Sequence, residues 1–137
     1  MTSEKEIMKA VNSSVRDCMR IPVTASPSTP LTSLIYDMVN NDIGAVIVIE
    51  KGKPVGIITE KDVLEKVIAK NKNIYETTAD EIMSKPLISI ESDHRIKEAL
   101  ELMRKHQIRR LAVIEKDVLI GIVTERRLLA KFLNQLY

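Results

Sequence analysis

The sequence is poor in aromatic residues and in cysteine: it contains no Trp, one Phe, three Tyr and one Cys among 137 residues. Single-stranded nucleic acids stack their bases on aromatic side chains, so this shortage argues against them as ligands. A single Cys excludes an intrachain disulfide and a thiolate metal cluster, and it fits a reducing compartment. No apolar run of about eighteen residues and no signal-peptide pattern occurs. We therefore predict a cytoplasmic protein that does not enter a membrane.

The remaining composition is that of a folded domain. Hydrophobic residues make up 45% and charged residues 29% of the chain, which is enough apolar material to bury a core. Lys and Arg are interleaved with Asp and Glu at a net charge of +2, so no basic stripe for nucleic acid is visible. The length suits one compact module and is too short for a typical catalytic domain with an added regulatory one.

The chain contains the same unit twice. Met19 and Pro22 recur as Met83 and Pro86 with the same spacing, and GIITEKD recurs later as GIVTERR. The two copies of the Gly-x-x-Thr segment are separated by one residue more than the two copies of the Met-x-x-Pro segment. One residue has therefore been gained or lost within the unit. The predicted segments are an N-terminal extension (1–14), a first repeat (15–69), a polar linker (70–78) and a second repeat with a C-terminal helix (79–137).

Each repeat shows the same order of hydrophobic periods. A short extended piece precedes an amphipathic helix, then a hairpin of two β-branched runs, then a second helix. One copy has about the length at which isolated domains become marginal, so the two copies are expected to pack together. The predicted fold class is α/β (α+β), with two tandem β-α-β-β-α repeats packed as a pseudo-twofold intramolecular pair.

The segment from Thr59 to Asp62 lies where a predicted strand passes into a helix. A Thr followed three residues later by a carboxylate is typical of a capping box, which satisfies the first free N–H groups of a helix. The same position also suits anionic groups, and a carboxylate there can accept hydrogen bonds from two sugar hydroxyls. The residues alone favour the capping box over a ligand site.

A pair of arginines marks the second repeat. Arg109 and Arg110 begin its hairpin, where the first repeat has Gly44 and Ala45. Most Arg side chains are solvated surface charges. The guanidinium group is also suited to forked contacts with phosphate, and two of them stand side by side here.

Motifs for catalysis or metal binding are missing from the sequence. His94 and His106 are predicted to be exposed, with no third ligand residue at a recognisable spacing, so no metal site is expected. GxSxG, Walker, Cys-His and GxGxxG patterns do not occur, which predicts that the chain is not an enzyme. Gly56 and Gly121 are each the one glycine within a predicted strand, where the lack of a side chain allows close approach of backbone or ligand. Cys18 is predicted to be buried.

Together these segments strongly resemble a pair of CBS domains, the cystathionine β-synthase motif, often called a Bateman module. The first repeat supplies VRDCMRIPVTAS and GAVIVIEKGKPVGIITEKDVL, and the second supplies ADEIMSKPLISI and RRLAVIEKDVLIGIVTERRLL. The resemblance covers nearly the whole chain outside the first dozen residues and the linker. It is specific because the Met-x-x-Pro motif, the hairpin and the Gly-x-x-Thr turn recur in order in both copies.

The resemblance implies a disc-like module with two clefts between the repeats that bind AMP, ADP, ATP or S-adenosylmethionine. In the family pattern Thr59 and Asp62 would hold ribose and phosphate, with the Asp accepting from the ribose hydroxyls. The residues that would line the adenine are Pro86, Leu87 and Ile88, and those that would meet the phosphates are Arg109, Arg110 and Arg126.

The second repeat departs from this pattern at Arg127, the counterpart of Asp62. A guanidinium offers donors where ribose needs an acceptor. The second cleft, around Thr124, Thr24 and Ala25, is therefore expected to bind poorly or to stay empty. We expect one good site per chain and a preference for phosphorylated adenosine over the uncharged nucleoside.

The resemblance implies a stand-alone regulatory module that senses energy or nucleotide state and forms a homodimer. Helix faces containing Val67, Leu128 and Phe132 are candidates for the dimer contact. One alternative is a scaffold that oligomerises without a ligand, and another is a module for S-adenosylmethionine. An enzymatic role like that of inosine monophosphate dehydrogenase, which carries an inserted CBS pair, would need a barrel of about 250 residues, for which the chain has no room.

Overall fold

The computed structural model describes residues 3–4 and 13–136; the rest of the predicted N-terminal extension lies outside the described residues. The chain divides into two compact units. The central unit is Pro22–Ile88, and the split unit combines Met1–Ile21 with Ser89–Tyr137. Each unit contains one three-stranded sheet.

The central unit carries the hairpin of the first repeat and the residues that follow it. Its elements are β1 (Thr24–Ala25), α1 (Leu31–Val39), β2 (Ala45–Glu50), β3 (Lys53–Thr59), α2 (Glu60–Val63), a π-helical continuation (Leu64–Ile68), a 3-10 turn (Ile74–Glu76) and α3 (Ala79–Ile82). The split unit begins with a 3-10 turn (Val15–Asp17) and continues with β4 (Ser89–Ile90), α4 (Ile96–His106), β5 (Arg110–Glu115), β6 (Val118–Thr124) and α5 (Glu125–Leu136).

The two sheets have the same topology and the same register. A short parallel strand pairs with the first hairpin strand, and the hairpin itself is antiparallel. The hairpin turns are Lys51-Gly52 and Lys116-Asp117, all with positive φ, which is the geometry that matches the twist of a two-residue hairpin. Both registers shift after the fourth residue of the first hairpin strand, at Val48 and at Val113. The β-α-β-β-α repeat predicted from the sequence is thus confirmed.

The core of each unit is aliphatic, as the composition predicts. In β2, Ala45 to Val48 are four consecutive buried residues, because this strand lies in the middle of its sheet and both faces are covered. The buried core of the central unit is Leu31, Leu34, Val46, Val48, Ile58, Val67, Ala79 and Ile82. Of the three residues named for a dimer contact, Val67 and Leu128 are fully buried, so their side chains are not available to a second copy, and Phe132 is half-buried. Their helices instead expose Leu64 and Leu129.

The compact units cross the boundaries of the sequence repeats. In the central unit, Ser84 from the second repeat pairs with Ile57 of β3 through both backbone hydrogen bonds, at 2.8 and 3.1 Å. In the split unit, Arg20 from the first repeat pairs in the same way with Ile122 of β6, at 2.9 and 3.0 Å. The Met-x-x-Pro segment of each repeat therefore packs on the hairpin of the other repeat.

Candidate functional site

The junction between β3 and α2 contains the predicted capping box. The Asp62 carboxylate accepts a hydrogen bond from the Thr59 backbone N–H at 2.8 Å and a longer one from the Thr59 hydroxyl at 3.4 Å, both at Oδ2. Thr59 has extended backbone angles and Asp62 is the third residue of the helix, which is the geometry of this cap. The interpretation that the residues alone favoured is confirmed.

The other oxygen of Asp62 is held by two side chains that the sequence analysis missed. The Ser84 hydroxyl donates to Oδ1 at 2.6 Å, and the Lys66 ammonium group lies 3.0 Å from the same atom. Asp62 is only 6% exposed. A buried carboxylate is tolerated only when it is paired and hydrogen-bonded, and these partners meet that requirement.

Lys66, in the π-helical continuation of α2, also contacts the end of α3 and the residues that follow it. Its ammonium group donates to the carbonyl of Ile82 at 3.0 Å, to that of Met83 at 3.4 Å and to the Ser84 hydroxyl at 3.1 Å. Two signals in the sequence could have revealed this network: Lys66 stands four residues after Asp62, and Ser84 follows the repeated Met directly.

The three residues predicted to line adenine follow this network in the chain. Leu87 and Ile88 are half-buried and Pro86 is exposed, and all three belong to the central unit. The central unit therefore holds five of the predicted site residues, because it also contains Thr59 and Asp62.

The three predicted phosphate-binding arginines lie together at one end of the hairpin in the split unit. Arg110 is paired with Thr124 across the hairpin, and the backbone N–H of Glu125 donates to the carbonyl of Arg109 at 2.9 Å. Arg126 is the next residue of α5. Arg109 and Arg126 are exposed and Arg110 is half-buried. The backbones of these three residues thus lie close to the start of α5, and helix starts favour anions.

Arg127 has a structural task of its own. Its backbone N–H donates to the Thr124 hydroxyl at 3.2 Å, and its Nε donates to the carbonyl of Cys18 at 3.1 Å. Cys18 and Ile82 are equivalent residues, because each directly precedes the repeated Met. Arg127 therefore donates to the Cys18 carbonyl in the split unit as Lys66 donates to the equivalent Ile82 carbonyl in the central unit. No carboxylate stands at the position of Asp62 in the split unit, because Arg127 occupies it.

Cys18 is buried, as predicted, with 1% of its surface exposed. Burial raises the pKa of its thiol, and the positive charges of Lys131 and Arg127 oppose this rise in part. Thiolates, not thiols, are the reactive form of cysteine, so burial and the raised pKa make Cys18 a packing residue.

A groove of about 690 Å³ lies on the split unit beside β4, α4 and the hairpin turn. Ile90, Leu102 and Ile114 are among its apolar lining residues, and His94 stands among charged residues on its rim. His94 Nδ1 is 2.6 Å from Glu98 Oε2. This hydrogen bond raises the pKa of His94 and lowers the pKa of Glu98.

Neither a metal-binding cluster nor a membrane-spanning helix occurs in the described part of the chain. Within residues 3–4 and 13–136, no group of three or more His, Cys, Asp or Glu side chains is arranged to hold a metal ion. None of the helices over the same residues has the length and apolar character needed to cross a membrane.

Comparison with known proteins gives the family. The family model for the CBS domain matches residues 15–69 and 79–134. The uncharacterized protein MK0525 of Methanopyrus kandleri is 41% identical over 109 residues, which span 78% of this chain and 56% of that protein. The CBS domain-containing protein YhcV of Bacillus subtilis is 34% identical over 112 residues, 81% of this chain and 79% of YhcV.

A solved structure agrees with these relatives. The CBS domain pair of protein MJ0100, in complex with 5′-methylthioadenosine and S-adenosyl-L-methionine, has a TM-score of 0.79 and 27% sequence identity, covering 88% of this chain and 99% of that one. This chain therefore belongs to the CBS-domain family and contains a tandem pair of these domains. The family and the fold class predicted from the sequence are confirmed.

Proposed function

We propose that this chain is a non-catalytic regulatory module that binds AMP, ADP or ATP and senses energy or nucleotide state. Tandem CBS pairs are regulatory modules and are generally not catalytic. The observation that carries the proposal is the buried Asp62 carboxylate, held by Thr59 at the first turn of α2. A carboxylate at a helix start is an acceptor suited to paired sugar hydroxyls, and the helix start itself favours anionic groups.

In this proposal the central unit recognises the nucleoside. Asp62 accepts from the ribose hydroxyls, Thr59 contacts ribose or phosphate, and Pro86, Leu87 and Ile88 line the adenine. Support comes from their common membership of the central unit and from the half-buried state of Leu87 and Ile88. The relative that binds S-adenosyl-L-methionine and 5′-methylthioadenosine also supports an adenosine-type ligand.

The three arginines of the second repeat are proposed to bind the phosphates. Arg109, Arg110 and Arg126 place three positive charges at one end of the hairpin, whereas the matching first-repeat positions are Gly44, Ala45 and Lys61. Three guanidinium groups favour a ligand with several negative charges over S-adenosylmethionine, whose sulfonium is positive. We therefore propose the order ATP or ADP, then AMP, then S-adenosylmethionine.

Calorimetric titration of the purified chain with AMP, ADP, ATP and S-adenosylmethionine tests this function. We expect saturable binding of about one nucleotide per chain, because the split unit has Arg127 in place of the carboxylate. The isosteric variant Asp62→Asn is expected to weaken binding more than Arg127→Gln does. Equal losses in the two variants would contradict one ribose site at Asp62.

A scaffold without a ligand is the second candidate, and one observation favours it. The Asp62 carboxylate is already satisfied by Thr59, Ser84 and Lys66, as in a purely structural network. Thermal unfolding separates the two functions: a nucleotide at 100 times its dissociation constant adds about 2.7 kcal/mol of stability, and a scaffold gains nothing.

We also propose that the chain forms a homodimer through the helices that follow the hairpins. Leu64 and Ile68 are 58% and 61% exposed, and their counterparts Leu129 and Leu133 are 42% and 49% exposed. The same two positions are exposed in both repeats, which gives a second copy a matched pair of apolar surfaces. Light scattering should show a dimer that dissociates in Leu64→Glu and in Leu129→Glu.

A further inference from the structure

Both oxygens of the Asp62 carboxylate are already in contact with groups of the chain. Each carboxylate oxygen accepts about two hydrogen bonds. Oδ2 accepts from the backbone and the hydroxyl of Thr59, and Oδ1 accepts from Ser84 and forms an ion pair with Lys66 at 3.0 Å. A ribose that donates to Asp62 must therefore replace a donor that the chain now supplies.

The four groups around the Asp62 carboxylate differ in how readily a ribose hydroxyl can displace them. The Thr59 N–H is fixed by the helix cap. Lys66 has further acceptors in the Ile82 and Met83 carbonyls, so it can give up Asp62 and remain hydrogen-bonded. The Ser84 hydroxyl makes a neutral-to-charged bond of 2.6 Å that a ribose hydroxyl reproduces chemically. Ser84 is thus the donor that a ribose replaces most directly.

Ser84 also fixes the path of the chain that follows it. Its backbone N–H donates to the Ile57 carbonyl at 2.8 Å, and its carbonyl accepts from the Ile57 N–H at 3.1 Å. Pro86 follows two residues later. The same residue thus carries the hydroxyl bound to Asp62, the backbone pairing with Ile57 and the start of the chain that leads to 86–88.

We propose that Ser84 competes with the ribose for Asp62, so that nucleotide binding loosens the segment 82–84 from β3. This inference rests on the proposed function and adds its regulation. The Ser84–Asp62 hydrogen bond opposes nucleotide binding, and its loss on binding is the signal. The device belongs to the central unit alone among the described residues. In the split unit the places of Ser84 and Asp62 are taken by Arg20 and Arg127, which are both donors.

Ser84→Ala tests the competition because it removes the competing hydroxyl and keeps the backbone. Titration with ATP and with AMP is expected to show affinity higher by about ten- to a hundredfold than in the unsubstituted chain, the size of one hydrogen bond to a charged group. Ser28→Ala is the matched control, since Ser28 is exposed and hydrogen-bonds to Ser26. The control is expected to bind like the unsubstituted chain.

Amide hydrogen exchange provides an independent measurement. In the unsubstituted chain, saturating ATP is expected to accelerate exchange of the Ser84 and Ile57 amides, which are hydrogen-bonded to each other's carbonyls. Unchanged or weaker affinity in Ser84→Ala, or slower exchange of these amides with ATP, overturns the competition while the proposed function stands. If neither the unsubstituted chain nor Ser84→Ala binds a nucleotide, the proposed function fails and the competition with it.

Discussion

The Met19 sulfur lies where a side chain on Gly121 would begin. A Cβ added to Gly121 would be 2.8 Å from that sulfur and 3.1 Å from the Met19 Cβ. The same relationship recurs in the central unit, where a Cβ on Gly56 would be 2.9 Å from the Met83 sulfur and 3.1 Å from the Ser84 carbonyl oxygen. The Met of each repeat thus packs against the hairpin Gly of the other repeat.

Gly121→Ala is expected to destabilise the chain by about 1–3 kcal/mol, because the added methyl group overlaps Met19 in a closely packed region. Denaturant unfolding measures the loss. The Met19→Ala variant creates space at the same point, so the double variant should lose less than the sum of the two single losses. Additive losses would show that Met19 is not what excludes a side chain at Gly121.

Lys66→Met is expected to lower the free energy of unfolding by about 1–3 kcal/mol, since it leaves a buried carboxylate without its cation. The i,i+4 pair Lys97 and Glu101 is exposed at both ends, so Lys97→Met serves as the control and should change stability by less than about 0.5 kcal/mol. Equal effects in the two variants would mean that the Asp62 network contributes no more than a surface ion pair.

Arg126→Ala is expected to weaken ATP binding by about tenfold and AMP binding by less, because the longer ligand has more charge for the guanidinium to contact. Calorimetry at two salt concentrations measures both affinities. Lys97→Ala removes one positive charge from an exposed helix position and is the control for net charge. A loss that is the same for ATP and AMP, or the same in the control, would contradict a phosphate contact at Arg126.

The His94–Glu98 pair is expected to make stability depend on pH. The pKa of His94 is raised above 6.5 by the hydrogen bond to Glu98, so its contribution is full below pH 6.5 and is lost as pH rises through the raised pKa. The pKa of Glu98 is lowered below 4.5 by the same bond, so its contribution is present above pH 4.5 and is lost as pH falls through the lowered pKa. The pair therefore stabilises the folded chain most between pH 4.5 and pH 6.5.

NMR titration of His94 in the unsubstituted chain and in Glu98→Gln measures this pair. The variant should show a lower His94 pKa, because the anionic partner is replaced by a neutral amide. The stability difference between the two proteins should shrink as pH rises above the His94 pKa. An unchanged His94 titration would show that the hydrogen bond does not persist in solution.

Cys18 is expected to react slowly with a thiol reagent in the native chain and rapidly after denaturation. The reason is burial, which both blocks access and raises the pKa of the thiol. The chain has one Cys, so the colour released by a disulfide reagent reports this position alone. Fast labelling under native conditions, at a rate independent of denaturant, would contradict a buried Cys18.

The sequence was sufficient to predict the fold because the patterns for strand, turn and helix are local and occur in both repeats. The runs of β-branched residues in AVIVIE and in GIIT, with Gly52 between them, predict a hairpin from local sequence alone. The Thr59–Asp62 cap depends only on residues three apart, and it too was predictable. The arginines at 109, 110 and 126 were recognised as candidates, although sequence spacing does not bring them together.

The tertiary structure decided which distant residues meet. Periodicity marks Val63, Leu64, Val67 and Ile68 alike as one apolar face, yet only Val67 is fully buried while Leu64 and Ile68 remain exposed. An apolar stripe does not reveal how much of its width a neighbour will cover. The Ser84 contact with Asp62, and the packing of Met19 and Met83 on the hairpin of the other repeat, join residues that are far apart in the chain.

The sequence by itself therefore determined the elements and their duplication, because helix, hairpin and cap are set by interactions over a few residues. The tertiary structure alone decided that each Met-x-x-Pro segment packs on the other repeat's hairpin and that Ser84 donates to Asp62. Those outcomes follow from close packing and from the need of a buried carboxylate for donors, which only the folded chain can supply.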